Sequence, residues 1–101
     1  MTPAEAAALL AECRKKIDAV DVQLRETLNR RAAIVADVVR AKESLGLPVY
    51  EPKREQDVVR KVAEGNPGPL SDAALEHIFE IIMREMRALQ EIYLKREGAP
   101  K

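Results

Sequence analysis

The stretch RRAAIVADVVRAK, residues 30–42, places two cations where a buried helix stripe calls for apolar side chains. Counted at heptad spacing from Ile17, the stripe reads Ile17, Leu24, Leu28, Arg31, Val35, Val38 and Lys42. Arg31 and Lys42 are eleven residues apart; at about 100° per residue this is close to three full turns, so both side chains leave one face, roughly 16 Å apart along the axis. The same register puts Arg14 and Asp21 on the seam. Seam charges commonly snorkel to the edge, or pair with acids such as Asp21 and Glu55. Two unpaired buried cations are costly, so either the fold supplies acids or an anionic ligand supplies the counter-charge. Arg14 lies roughly 25 Å from Arg31 on a straight helix and about 100° round from it. Within one chain it does not reach the same ligand; in a dimer it could reach the partner's site.

Two further features bear on chemistry. VYEPKRE, residues 49–55, delivers Arg54 and Glu55 in the first turn of a short helix just after a turn; helix punctuation followed by solvated charges is the plainer alternative. Gln90 puts an amide on the stripe of the last helix, and a buried amide needs partners, whereas a surface position would need none. His77 has no companions at metal-ligand spacing. One His and one Cys assemble no nucleophilic triad, and GNPGP (65–69) lacks the lysine and helix context of a phosphate loop. An enzyme built on this chain is expected to use neither a nucleophile nor a metal.

The elements that must position these residues are helices. Thr2 caps, Pro3 suits a first helical position, and Glu5 is spaced to complete a capping box. Neither Gly nor Pro then appears until Gly46, so a helix over about residues 3–45 is expected, ended by Gly46 and Pro48. Pro52 opens a second helix, about 52–64, and Gly65 ends it inside the breaker cluster. Ser71 caps a third, about 71–96, whose stripe is Leu75, Phe79, Ile82, Met86, Leu89 or Gln90, and Tyr93. A first helix of roughly 60 Å projects far beyond a globule of this size, whose radius of gyration is about 13 Å. Its apolar stripe must meet something, and a second copy is the economical partner, so an intertwined helical homodimer is expected.

With 101 residues, the chain reads as a single all-α domain, a three-helix protomer with one very long first helix. Lys+Arg and Asp+Glu both number 17, a balance that argues against a nucleic-acid footprint. The lone Cys13 forms no internal disulfide and is expected to be a small packed side chain. The short run AAALLA flanked by Glu5 and Glu12 is no secretory signal, and no segment reaches the ~20 apolar residues that span a bilayer. A cytoplasmic protein without membrane contact is the expectation.

Taken together, CRKKID (13–18), LNRRAAIV (28–35), RAK (40–42), LPVYEPKRE (47–55) and HIFEIIMREMRALQ (77–90) resemble the all-α chorismate mutases in order and spacing, from about Leu9 to Gln90. The YEPKRE and HIFEIIM segments are most similar to mutase domains fused to the first enzyme of the shikimate pathway. The resemblance implies an entwined dimer of three-helix protomers with two active sites. It also implies rearrangement of chorismate to prephenate, a unimolecular [3,3] shift in Phe and Tyr biosynthesis, with no covalent intermediate, metal or cofactor. Carried over by position, Arg31 and the partner's Arg14 would clamp the substrate's two carboxylates, for which a planar guanidinium fork is suited. Lys42 and Gln90 would donate to the ether oxygen as charge develops there. Glu55 would accept from the ring hydroxyl with the backbone near Glu51 assisting, and Arg54 would complete the cationic cage. Met86 stands where some relatives have a serine that touches a carboxylate, so that contact is expected to be missing, and Glu51 stands where some have aspartate. A complex or fusion with another shikimate-pathway enzyme is a further implication. An isochorismate–pyruvate lyase shares the fold and the cage, and a non-catalytic helical regulatory dimer is the alternative from another class.

Overall fold

The computed structural model describes residues 1–97. It consists of three helices, α1 (Pro3–Leu45), α2 (Pro52–Glu64) and α3 (Asp72–Glu97), the all-α protomer with one very long first helix that the breaker positions predict. Residues 1–33 form one unit and a second begins at Ile34, so α1 contributes to both. Among the described residues no helix is long and apolar enough to cross a membrane.

The first unit is helical from Pro3 onward. Thr2 Oγ1 accepts the Glu5 N–H at 3.1 Å, which satisfies one of the orphan donors of the first turn. The Thr2 hydroxyl then donates to Glu5 Oε1 at 3.1 Å, so the pair closes through the side chains. Leu10, Ile17 and Leu24 recur at intervals of seven and are 49%, 57% and 54% exposed. Cys13, expected to be packed, is exposed on this unit: nothing within it lies over that face of a single helix.

In the second unit α2 packs on α3. The loop between them is organised by Asn66, whose Nδ2 donates to the Leu70 carbonyl and to Asp72 Oδ1, both at 2.8 Å, while its Oδ1 accepts the Gly68 N–H at 3.1 Å. Ser71 Oγ accepts the Ala74 N–H at 3.1 Å and caps α3 as its sequence position suggests.

The buried apolar core is small: Val35, Val39 and Met83 are 5%, 2% and 6% exposed. Two of the three fall one position off the expected stripes. Val38 sits at the edge while Val39 is buried, because an undistorted helix drifts ~20° per heptad relative to a strict seven-residue repeat, so a register fixed at Ile17 has slipped by Val38. On α3, Leu75, Phe79, Ile82, Met86, Leu89, Gln90 and Tyr93 are half-buried, and Met83, which the stripe omits, is the side chain that fills the centre. Met83→Ala should therefore cost about 2–5 kcal/mol of unfolding free energy, more than Ile82→Ala, as read by urea denaturation of the two variants side by side.

Candidate active site

Lys42 stands in the last turn of α1, and the way this helix ends determines what surrounds it. Gly46 has φ 68°, a left-handed conformation that costs L-residues roughly 1–2 kcal/mol. It lets the Leu47 N–H bond the Lys42 carbonyl at 2.8 Å and the Gly46 N–H bond that of Glu43 at 3.3 Å, the paired closure of a Schellman end. The chain doubles back over its own terminus, and the Val49 carbonyl accepts a hydrogen bond from Lys42 Nζ at 2.8 Å.

Two more oxygens complete the shell of that ammonium. Gln90 Oε1, from α3, accepts from Lys42 Nζ at 3.0 Å, and Glu51 Oε1 forms an ion pair with it, also at 3.0 Å. An ammonium has three hydrogens and no acceptor, so each hydrogen has one acceptor. The Lys42 side chain is 13% exposed. Because Gln90 must present its oxygen to Lys42, its amide orientation is fixed and the NH2 group is the end left to donate elsewhere.

Glu51 is the N-cap residue of α2, yet its side chain makes no capping bond to the helix. The carboxylate, one methylene longer than aspartate, reaches across to Lys42 instead. Pro52 at the first helical position offers no N–H that would have needed a cap. Beside this cluster lies an apolar cavity of about 120 Å³, lined by Val39, Lys42, Leu47, Val49, Gln90 and Leu94 among others.

One turn into α2, Glu55 belongs to a second ionic group. Arg87 Nε donates to Glu55 Oε2 at 3.0 Å and Arg87 Nη2 to Glu55 Oε1 at 3.1 Å, a bidentate fork. The Tyr50 ring lies against the guanidinium, 4.4 Å from centroid to Cζ. The hydrogen bonds that Arg87 donates to Glu55 hold the guanidinium pKa above its ordinary value, with burial working against them.

The sequence-predicted residues thus separate into groups. Lys42, Gln90 and Glu51 converge on one ammonium. Glu55, one of the acids expected to neutralise the stripe, pairs with Arg87, and the acid that neutralises Lys42 is Glu51. Arg54 is exposed in the first turn of α2, and Met86 is half-buried on α3. Arg14 and Arg31 belong to the first unit, Arg14 exposed and Arg31 half-buried. Sequence reasoning missed Arg87. Glu55 and Arg87 are 32 positions apart and no helical periodicity links them; the available hint was that two helices joined by GNPGP run back to back, setting the start of α2 against the later turns of α3.

The family model described as chorismate mutase type II matches residues 13–91. A chorismate mutase of Methanocaldococcus jannaschii is 34% identical over 89 residues, covering 85% of this chain and 88% of that protein. A bifunctional chorismate mutase/prephenate dehydratase of Pseudomonas aeruginosa is 36% identical over 98 residues, 88% of this chain but only 27% of that longer protein. The structure of Helicobacter pylori chorismate mutase in complex with prephenate superposes with a TM-score of 0.79 at 30% identity, covering 87% of this chain and 96% of that one. With a profile that spans all three helices and a relative matched over nearly its whole length, the chain belongs to the type II chorismate mutase family.

Proposed function

We infer that this chain rearranges chorismate to prephenate and that the Lys42–Gln90 pair is where it does so. The observation that carries the residue assignment is the nearly buried ammonium of Lys42 bonded to Gln90 Oε1 at 3.0 Å. The reaction breaks the ether C–O bond as the methylene end of the enolpyruvyl group bonds to the ring; no atom enters or leaves. Negative charge grows on the ether oxygen, and a donor fixed beside it in a dry setting stabilises that charge without reorganising. Lys42 supplies a charged N–H, and the Gln90 NH2, the end of the amide not bonded to Lys42, supplies a neutral one.

Glu51 occupies one hydrogen of Lys42. A substrate acceptor therefore enters by exchange, with Glu51 swinging away as the ether oxygen takes its place. The released carboxylate and Glu55 lie four residues apart on one face of α2, a placement suited to accepting from the ring hydroxyl. Arg31 and the partner's Arg14 are assigned to the two carboxylates, and Arg54 to the rim of the cage. Met86 offers no hydrogen bond to a carboxylate.

An intertwined homodimer is part of this proposal. It is supported by the half-exposed heptad row Leu10, Ile17 and Leu24 on α1, which a second copy would cover. A cytoplasmic location is also part of this proposal. The Pseudomonas relative, a fusion of mutase and dehydratase activities of which this chain matches 27%, supports association with another enzyme of the same pathway.

Three outcomes test these assignments. Purified protein should consume chorismate and release prephenate; pyruvate released from isochorismate instead would identify a lyase. Lys42→Ala should lower kcat/KM by about a hundred- to a thousandfold, the usual cost of one preorganised donor, and Gln90→Leu, which removes the neutral donor, by less. Light scattering after size exclusion should give the mass of two chains, and Leu24→Glu should shift it toward one; a wild-type monomer would refute the dimer.

A further inference from the structure

We propose that Arg87 is a positioning residue: it aims the Glu55 carboxylate at the ring hydroxyl of the substrate and so sets preference for a hydroxylated ring. This rests on the mutase reading above. Glu55 has three rotatable side-chain bonds, is 22% exposed in its side chain, and borders an open groove of about 250 Å³ that also runs past Tyr50, Val59, Met83 and Arg87. Left alone, a glutamate in such a place samples several rotamers toward water. The fork from Arg87, at 3.0 and 3.1 Å to the two oxygens, fixes both the position and the plane of the carboxylate.

The fork leaves Glu55 able to act. A carboxylate has about four acceptor sites, and Arg87 occupies two, so the carboxylate held in place can still accept from a hydroxyl. Tyr50 lies against the guanidinium at 4.4 Å, which keeps water from one face of it and favours the single geometry. The start of α2 is thus gripped from two directions: Lys42 of α1 holds Glu51 at 3.0 Å, and Arg87 of α3 holds Glu55. The Glu55 N–H bonds the Glu51 carbonyl at 3.1 Å, so the two carboxylates sit one helical turn apart with a set spacing. The division of labour follows from their partners. Lys42 has a further task at the ether oxygen and must be able to release Glu51, whereas Arg87 reaches no other carboxylate among the described ion pairs and can hold Glu55 throughout.

A merely structural ion pair would affect all substrates alike; a positioning pair would not. Arg87→Met should lower kcat/KM for chorismate by about tenfold, with helical content by circular dichroism unchanged. For a chorismate analogue whose ring hydroxyl is replaced by hydrogen, wild type and Arg87→Met should differ by no more than about twofold. Arg87→Lys, which can hold one oxygen but not the plane of the carboxylate, should fall between them on chorismate, and it carries the same comparison if the methionine variant does not fold. An equal loss on both substrates, or no loss on chorismate, would overturn the positioning role. A wild-type protein inert toward chorismate would instead remove the mutase reading on which that role rests.

Discussion

A lysine ammonium taken out of water needs three oxygens around it, and supplying them organises the second unit of this protein. The three come from three places: the Val49 carbonyl in the segment after α1, the Glu51 carboxylate at the start of α2, and the Gln90 amide on α3. Each can arrive only if the chain turns sharply after Lys42, and the positive-φ Gly46 makes that turn while closing the last carbonyls of α1. Removing any one oxygen would leave a charged donor partly desolvated, at a cost of several kcal/mol in a dry site. The ammonium is therefore a structural centre as well as a candidate catalytic one.

The apolar core is too slight to do this alone. Among the described residues three side chains are buried, and a chain of this size removes only a modest share of its surface from water. The second ionic group, Arg87 with Glu55 and Tyr50, joins the segment before α2 to both α2 and α3. Polar groups that fix geometry in this way give less net stability than an equal volume of hydrocarbon. What they add is direction, since a bidentate fork and a three-acceptor ammonium permit few alternative arrangements. That is the requirement of a site that works by holding charge in place.

Much of this was legible in the sequence where the signal is local. Thr2, Gly46, Pro52, Gly65 and Ser71 mark helix ends through backbone chemistry that operates within a few residues. Arg31 and Lys42 stood out because a cation on an apolar stripe violates a strong pattern, and Gln90 for the same reason. The pattern failed where position depends on what lies opposite. Val39 and Met83 were missed because one residue of helical drift, invisible in a heptad count, decides which of two adjacent apolar side chains faces inward. Arg87 was missed because its partner is on another helix, and a surface arginine among charged neighbours is unremarkable until the carboxylate facing it is known. Glu51 was read as a substitution for aspartate; the consequence of its extra methylene, reach to Lys42, needed three dimensions.

That reach bears on how the site would bind a dianion. A bare cationic pocket would have to keep its charges hydrated until the ligand arrived, and shedding that water would count against binding. On the proposed assignment Glu51 would play the part of the ligand in advance, with Lys42 already oriented by it, and binding would exchange one oxygen acceptor for another. Such an exchange would count against ground-state affinity, because the neutral ether oxygen is a weaker acceptor than the carboxylate it replaces. That deficit would shrink as negative charge builds on the ether oxygen in the transition state. An internal counter-anion would thus bias the interaction toward the transition state, the condition under which binding energy accelerates a reaction.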